Sequence, residues 1–169
     1  DGHPVQLDVT ENAFQDVALN SVNNTRNIIV NETLDNIVPQ VLNAELNYST
    51  GLLKVNNSET IDATPVELID LSKLHLANST NDYITIEGAE IAPYDGLIWE
   101  VKLTELQRVT VLAQSSQPGG DGYAIVLNVM QGAVQDIGQN RNPAFFNLHV
   151  KESPDTILPI LLGAQIDYN

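Results

Sequence analysis

The chain has 169 residues, no cysteine and a net charge of −15, which comes from 22 acidic and 7 basic residues. Because nucleic acids and anionic membrane surfaces both repel an acidic protein, this charge argues against them as partners. The lack of cysteine excludes a disulfide framework and thiol chemistry. No apolar run approaches the roughly 18 residues of a membrane-spanning helix, so we expect no membrane insertion.

The first and last parts of the sequence repeat each other at an offset of 120 residues. Residues 1–49 align with residues 121–169 without a gap, and 17 of the 49 pairs are identical. Unrelated segments would share roughly 3 pairs. The repeat predicts three parts: the C-terminal part of a preceding unit (1–34), a complete unit (35–154) and the first strand of a following unit (155–169). We expect 35–154 to fold as one domain, whereas two strands in 1–34 are too few to fold alone.

Alternating apolar and polar residues predict short β-strands along the whole chain. The first part contains two predicted strands, one over residues 5–9 and one around Ile28 and Val30. In the complete unit, about seven strands with turns every 8–12 residues predict an all-β, antiparallel two-sheet sandwich. Residues 66–72 predict one helical turn. Thr104 and Gln107 form a capping box before a short helix over 105–113.

The same alternation predicts which side chains face the core. The predicted inward residues are Leu42, Ala44, Leu46, Tyr48, Leu53, Val55, Leu97, Trp99, Val101, Ile125, Leu127, Val129, Phe146, Leu148 and Val150. Ile98 and Val126 are apolar at outward positions, where they are either contacts between units or ordinary surface residues. The glycine-rich residues 115–122 predict a flexible loop.

Residues 42–62, Leu-Asn-Ala-Glu-Leu-Asn-Tyr-Ser-Thr-Gly-Leu-Leu-Lys-Val-Asn-Asn-Ser-Glu-Thr-Ile-Asp, resemble the opening of SwmB-like and bacterial Ig-like repeats. That opening reads A-x-L-(D/N)-x-x-T-G-x-L-x-(L/V)-x-F-S-E-x-(V/I)-D. Residues 71–78, 104–107 and 132–140 are similar to later parts of the repeat. Asn57 departs from the pattern, where the family has an aromatic residue, and so does Gln139, where it has glycine. The resemblance implies an Ig-like β-sandwich in a tandem array, with an extracellular and non-enzymatic role.

Five asparagines lie in N-x-S/T sequons, the acceptor motif for N-linked glycans. They are Asn23, Asn31, Asn47, Asn56 and Asn78. The strand pattern places Asn31, Asn47 and Asn56 on outward positions and the other two in loops. We therefore predict N-glycosylation at these sites; the alternative is that they are plain polar surface residues.

The sequence predicts no catalytic, cofactor or metal site. His3, His75 and His149 have no histidine partner at helical or strand spacing, and no serine lies in a nucleophile elbow. Calcium is the one cofactor considered, because Asp35 and Asp155, like Glu32 and Glu152, recur beside the proline that would join two units. The competing interpretation is an acidic, solvated linker whose aspartates bond their own backbone. Asp16 and Asp136 recur in a polar loop and are predicted to cap its turn.

Two functions fit these observations. In the first, the chain is a structural segment of an extracellular, glycosylated filament, such as a flagellar hair, and its partners are neighbouring copies of the same repeat. In the second, it is the stalk of a large cell-surface adhesin or binding protein. Both place the protein outside the cell or on its surface.

Overall fold

The computed structural model describes residues 4–78 and 83–166. The chain separates into two compact units, Asp1–Asp35 and Asn36–Asn169, which we call the hairpin unit and the sheet unit. Both are built from β-strands, and the helical segments described are short.

The hairpin unit consists of strands β1 (Gln6–Val9) and β2 (Thr25–Ile29), which pair antiparallel. Between them, the Asp16 carboxylate accepts hydrogen bonds from the backbone N–H groups of Ala18 and Asn20, which closes the turn. Nearly all described side chains of this unit are exposed. The two strands therefore pair here without a hydrophobic core of their own.

The sheet unit contains eight described strands, one more than the sequence predicts. They are β3 (Val41–Asn47), β4 (Leu52–Ile61), β5 (Leu74–Ala77), β6 (Tyr83–Thr85), β7 (Glu90–Ile91), β8 (Gly96–Lys102), β9 (Val126–Val129) and β10 (Phe145–Ser153). In space they form one curled sheet in the order β6-β5-β9-β10-β3-β4-β8-β7.

The curled sheet has two halves, β6-β5-β9 and β3-β4-β8-β7. Strand β10 joins them because it changes neighbour along its length. Its first part pairs antiparallel with β9, and Leu148 lies opposite Leu127. Its last part pairs parallel with β3, and Val150 lies opposite Ala44. The prediction of a wholly antiparallel arrangement is therefore wrong at this pair. No turn residue signals it, since the two strands lie about a hundred residues apart in sequence.

The inner faces of both halves meet in one hydrophobic core. Its largest fully buried side chains are Trp99, Tyr48, Leu46, Leu53, Ile61, Leu74, Leu76, Ile86, Ile125, Leu127, Val55 and Val101. Burying one such aliphatic side chain stabilises a protein by about 1.5–3 kcal/mol. This core confirms the predicted inward positions of Leu53, Val55 and Trp99.

Three residues predicted to face inward are exposed instead: Leu42, Leu97 and Phe146. Each lies where the strand register shifts. A β-bulge adds one residue to one strand and reverses the alternation beyond it. Val41 and Phe145 consequently face the core in place of their neighbours Leu42 and Phe146.

The helical predictions are confirmed. Helix α1 covers Glu105–Ala113, and Thr104 and Gln107 form a complete capping box at its start. Two 3₁₀ turns, Val66–Leu68 and Leu71–Lys73, precede β5. Nε2 of the Gln107 side chain also donates to the carbonyls of Thr85 and Glu87. This side chain therefore holds the start of α1 beside β6.

Residues 115–122 do not form the open, flexible loop that their composition predicts. The N–H of Asp121 donates to the carbonyl of Ala113, and that of Gly122 donates to the carbonyl of Ser115. A Cβ added at Gly120 would lie 2.1 Å from the Ser115 carbonyl oxygen. The small residues therefore allow the chain to turn back tightly against the end of α1.

Candidate interface at the chain entry and exit

The chain enters the sheet unit at β3 and leaves it at β10, and these two strands are parallel neighbours. Their register runs from Val150 opposite Ala44 to Ser153 opposite Asn47. Parallel strands point the same way, so the entry and the exit lie at opposite ends of the pair. The seven residues of β3 separate these ends by about 20 Å.

A buried tyrosine links the two strands at the exit end. The hydroxyl of Tyr48 donates to Oε1 of Glu152 at 2.7 Å, and Oε2 of Glu152 accepts from the hydroxyl of Ser116 at 2.9 Å. Burial, followed by the hydrogen bond to Glu152, raises the pKa of Tyr48 well above its ordinary value. The tyrosine therefore stays protonated and keeps donating across the strand pair at physiological pH.

Arg108 of α1 holds the chain as it leaves β10. It forms a bidentate pair with Glu105, at 2.6 and 2.8 Å, and its Nη1 donates to the Tyr48 carbonyl and to Asp155. The N–H of Ile157 and then Arg108 lower the pKa of Asp155, and the bond to Arg108 lowers that of Glu105. Bidentate arginine pairs fix geometry as well as charge. Arg108 therefore connects α1, the end of β3 and the exit.

Residues 154–166, which we call the exit segment, begin at this contact with Arg108 and form neither helix nor strand. The N–H of Thr156 donates to the hydroxyl of Ser49 at 2.9 Å. Beyond it, all side chains are exposed, including those of Leu158, Ile160, Leu161, Leu162 and Ile166. A row of exposed apolar residues of this length is typical of a contact surface.

The two copies of the repeated sequence have matching backbone geometry. In β1–β2, Leu7 lies opposite Ile28 and Val9 opposite Thr25; in β9–β10, Leu127 lies opposite Leu148 and Val129 opposite Phe145. Each pair of the first hairpin thus recurs 120 residues later. The left-handed residues recur as well, for Asn27 and Asn147 both have φ = 59°.

Side-chain contacts in the two turns also correspond. Asp16 accepts from the backbone and side-chain amides of Asn20, and Asp136 accepts from those of Asn140. The prediction that both aspartates cap their turns agrees with these hydrogen bonds.

Of the five sequon asparagines, Asn23, Asn31 and Asn47 are exposed and Asn56 is partly exposed. Asn78 is only 5% exposed, and its amide nitrogen donates to Asp121 at 3.3 Å. Asn78 lies outside the strands, as predicted, but it is buried rather than exposed. The sequence gives no signal of this burial, because Asp121, the hydrogen-bond partner of Asn78, lies 43 positions further along the chain.

The remaining candidate residues occupy separate places. His75 lies against the ring of Tyr83, His149 is exposed on β10, and His3 falls outside the described residues. Ile98 is exposed on β8 and Val126 is partly exposed on β9, and three strands separate them in the sheet, so they do not form one apolar patch.

The residues considered as calcium ligands have protein partners. Asp155 pairs with Arg108 at 2.9 Å, Glu152 accepts from Tyr48, and Glu32 accepts from the N–H of Val5. Asp35 lies in the hairpin unit, at its end. The arginine beside Asp155 would repel a divalent cation there.

Sequence reasoning missed the hydrogen bonds by which Arg108 holds the exit of β10, and it missed the pair of Tyr48 and Glu152. A signal for the second was present, since both residues recur at the 120-residue offset, as Tyr168 and Glu32. Arg108 has no counterpart in the repeated segments and carries no comparable signal.

Comparison of the chain with protein-family models, curated proteins and solved structures gives no match. Within residues 4–78 and 83–166, none of the helices has the length and apolar character needed to cross a membrane.

Proposed function

We propose that this chain is a non-enzymatic, structural segment of an extracellular, glycosylated filament built from tandem Ig-like β-sandwiches with a period of 120 residues. In this proposal, the curled sheet of the sheet unit is one sandwich. The partners of the chain are neighbouring copies of the same repeat, joined head to tail.

The observation that carries the proposal is the parallel pairing of β3 with β10. With this pairing, the start of β3 and the end of β10 lie at opposite ends of the strand pair. A domain of this kind extends a chain in one direction when it is repeated, and quasi-one-dimensional arrays are built in this way. An entry and an exit at the same end would instead fold the array back on itself.

The matching hairpins support the tandem arrangement. β1–β2 and β9–β10 share their register and left-handed residues at the 120-residue offset. Two segments with the same sequence pattern and the same backbone are expected of two copies of one structural unit.

The exposed sequons support glycosylation and an extracellular location. Asn23, Asn31, Asn47 and Asn56 have side chains that reach solvent, and the pattern N-x-S/T is complete at each. Asn47 lies on β3 between buried Leu46 and buried Tyr48, so a glycan there would extend away from the core. At Asn78 burial opposes modification of the folded protein.

Negative-stain imaging of native material, combined with intact mass before and after deglycosylation, tests this function. We expect filaments with an axial spacing of roughly 35–45 Å, the length of one sandwich with strands of ordinary size. We also expect a mass decrease on deglycosylation. Dispersed particles without an axial repeat, together with an unchanged mass, would contradict the proposal.

A further inference from the structure

The sequon asparagine Asn56 lies on the outer face of β4, directly opposite Ile98 of β8. The Cβ atoms of directly opposite residues are about 5 Å apart. Asn56 is partly exposed, and its side-chain amide forms no hydrogen bond with any of the described residues, so its nitrogen is free to carry a glycan. A sugar attached there starts beside the Ile98 side chain, which is 45% exposed.

The ring of Tyr94 enlarges this exposed apolar surface. Its carbon Cδ2 is 3.9 Å from the position that a Cβ on Gly96 would occupy. Partial desolvation, followed by the charge of Glu100 and a hydrogen bond to it, raises the pKa of Tyr94, so the hydroxyl reaches the Glu100 carboxylate. Gly96 and Glu100 flank Ile98 on the same face of β8, two positions before and after it. The ring of Tyr94 therefore lies along Ile98, and we call these two side chains the platform.

The platform has the chemistry of a seat for the first sugar of an N-linked glycan. The hydroxyl groups of N-acetylglucosamine project from the edge of its ring, whereas the ring faces present C–H bonds that pack against aromatic and aliphatic carbon. An exposed apolar patch with a polar rim is typical of a binding site. Here the rim is the ion pair of Lys54 and Glu100, at 2.6 Å, which offers both donors and acceptors to sugar hydroxyls.

The other sequon on this face has different surroundings. Asn47 of β3 lies opposite Leu52 of β4 and Ser153 of β10, and neither of these partners is aromatic. Asn56 lies opposite Asn43, four residues before Asn47, so the two attachment points are about 13 Å apart along the strands. The platform is therefore specific to Asn56.

We propose that Tyr94 and Ile98 form a binding site for the first N-acetylglucosamine of a glycan on Asn56, which packs a face of its sugar ring on them. This inference rests on the glycosylation in the proposed function and deepens it, because it names the sequon whose glycan becomes part of the folded structure. The sugar links β4 to β8 and to the chain that precedes β8, and it thereby stabilises the sheet unit. A glycan on Asn47 extends into solvent instead.

Urea denaturation of the intact chain, secreted by a glycosylating host, tests this site. An endoglycosidase first trims every glycan to its one attached sugar. Asn56→Gln removes the sugar at this site and keeps an amide, and the same substitution in chain produced without glycans measures the cost of the substitution itself. Both comparisons are repeated in two backgrounds. Tyr94→Ala removes the platform ring, and Tyr123→Ala removes a tyrosine of similar exposure that precedes β9.

After correction with the unglycosylated pair, we expect loss of the Asn56 sugar to raise the equilibrium constant for unfolding about two- to fivefold, the range of a cross-strand side-chain pair. The same loss should have no effect in the Tyr94→Ala background and its full effect in the Tyr123→Ala background. Equal effects in all three backgrounds would overturn the inference, and so would the lack of any effect in the unsubstituted chain.

A direct contact gives a second reading. In the trimmed protein we expect nuclear Overhauser effects between the sugar protons on Asn56 and the ring protons of Tyr94, and their absence would also contradict the proposed site.

Peptide mass separates failure of this site from failure of the proposed function. A sugar on Asn56 with neither coupling to Tyr94 nor contact with it would reject the binding site and leave glycosylation standing. Modification of the other sequons without Asn56 would have the same meaning. A chain without sugar at any sequon would reject both.

Discussion

Residues 4–34 and 124–154 adopt one backbone in two environments. Val5 is 57% exposed and Leu7 is 51% exposed, whereas their counterparts Ile125 and Leu127 are both fully buried. The strand register, the turn and the left-handed asparagine are nevertheless the same. The shape of the hairpin is therefore encoded locally, by the capping aspartate and the residues with positive φ. Its stability depends on β3, β5 and the strands beyond them.

The largest difference between the two hairpins is expected when a core leucine is shortened. Leu127→Ala should destabilise the sheet unit by about 2–5 kcal/mol, because it leaves a cavity in the hydrophobic core. Leu7→Ala should change the free energy of unfolding by less than about 0.5 kcal/mol, as surface substitutions do. Urea denaturation measures both values. Equal losses would show that the hairpin unit is buried in solution.

The turn aspartates offer a second contrast. Asp136 is buried and accepts hydrogen bonds from both amides of Asn140, so Asp136→Ala should cost about 1–3 kcal/mol. Asp16 makes the same bonds in solvent, where water replaces a lost acceptor, so Asp16→Ala should cost less. Thermal unfolding of the two variants compares them. A greater loss at Asp16 would mean that its turn, rather than burial, governs the hairpin.

The two equivalent glutamates differ in their partners: Glu152 accepts a hydrogen bond from the hydroxyl of Tyr48, whereas Glu32 accepts one from the N–H of Val5. The substitution Tyr48→Phe tests the first of these bonds. Loss of the hydrogen bond should destabilise the sheet unit by about 1–2 kcal/mol, and the exposed Tyr123→Phe serves as the control. Because the folded pKa of Tyr48 is raised, its contribution is complete below pH 10 and is lost as the pH rises further. The stability of the unsubstituted chain should fall above about pH 10, and that of Tyr48→Phe should fall less. Parallel pH curves would contradict this assignment.

The smallest effect is expected for the ion pair of Arg108 and Asp155, which holds the start of the exit segment. The pKa of Asp155 is lowered, so its contribution is present above its ordinary pKa and is lost as the pH falls through the lowered value. The amide resonance of Ile157, which donates to Asp155, should therefore shift below about pH 4.

Arg108→Ala should move that transition upward and expose the exit segment to faster proteolysis. Lys151→Ala, which breaks a different exposed ion pair, is the control and should leave both readings unchanged. Identical cleavage rates in the two variants would show that Arg108 does not restrain the exit.

Elements with a local cause could be predicted from the sequence. Helix α1 is one, because its capping box lies within four residues. The burial of Leu53, Val55 and Trp99 is another, since the alternation is uninterrupted there. The positions that failed depend on distant strands. Leu42 and Phe146 face solvent because bulges form against β4 and β9, and the departure at Asn57 lies opposite the first of these bulges.

The candidate site follows the same division. The parallel pair of β3 and β10 joins residues about a hundred positions apart, and no turn chemistry signals such a pairing. Arg108 acquires its role only when α1 packs beside the exit of β10. The acceptor sequons and the recurrence of Tyr48 and Glu152, by contrast, are visible in the sequence alone.

Hydrogen exchange at two equivalent amides tests the central claim most directly. The N–H of Val30 donates to the Val5 carbonyl and that of Val150 donates to the Ile125 carbonyl, both at 3.0 Å. In dilute protein, we expect the amide of Val150 to exchange only through global unfolding of the sheet unit, and that of Val30 to exchange orders of magnitude faster through local opening. Equal protection of the two amides would contradict the claim that one local geometry exists here with and without a core.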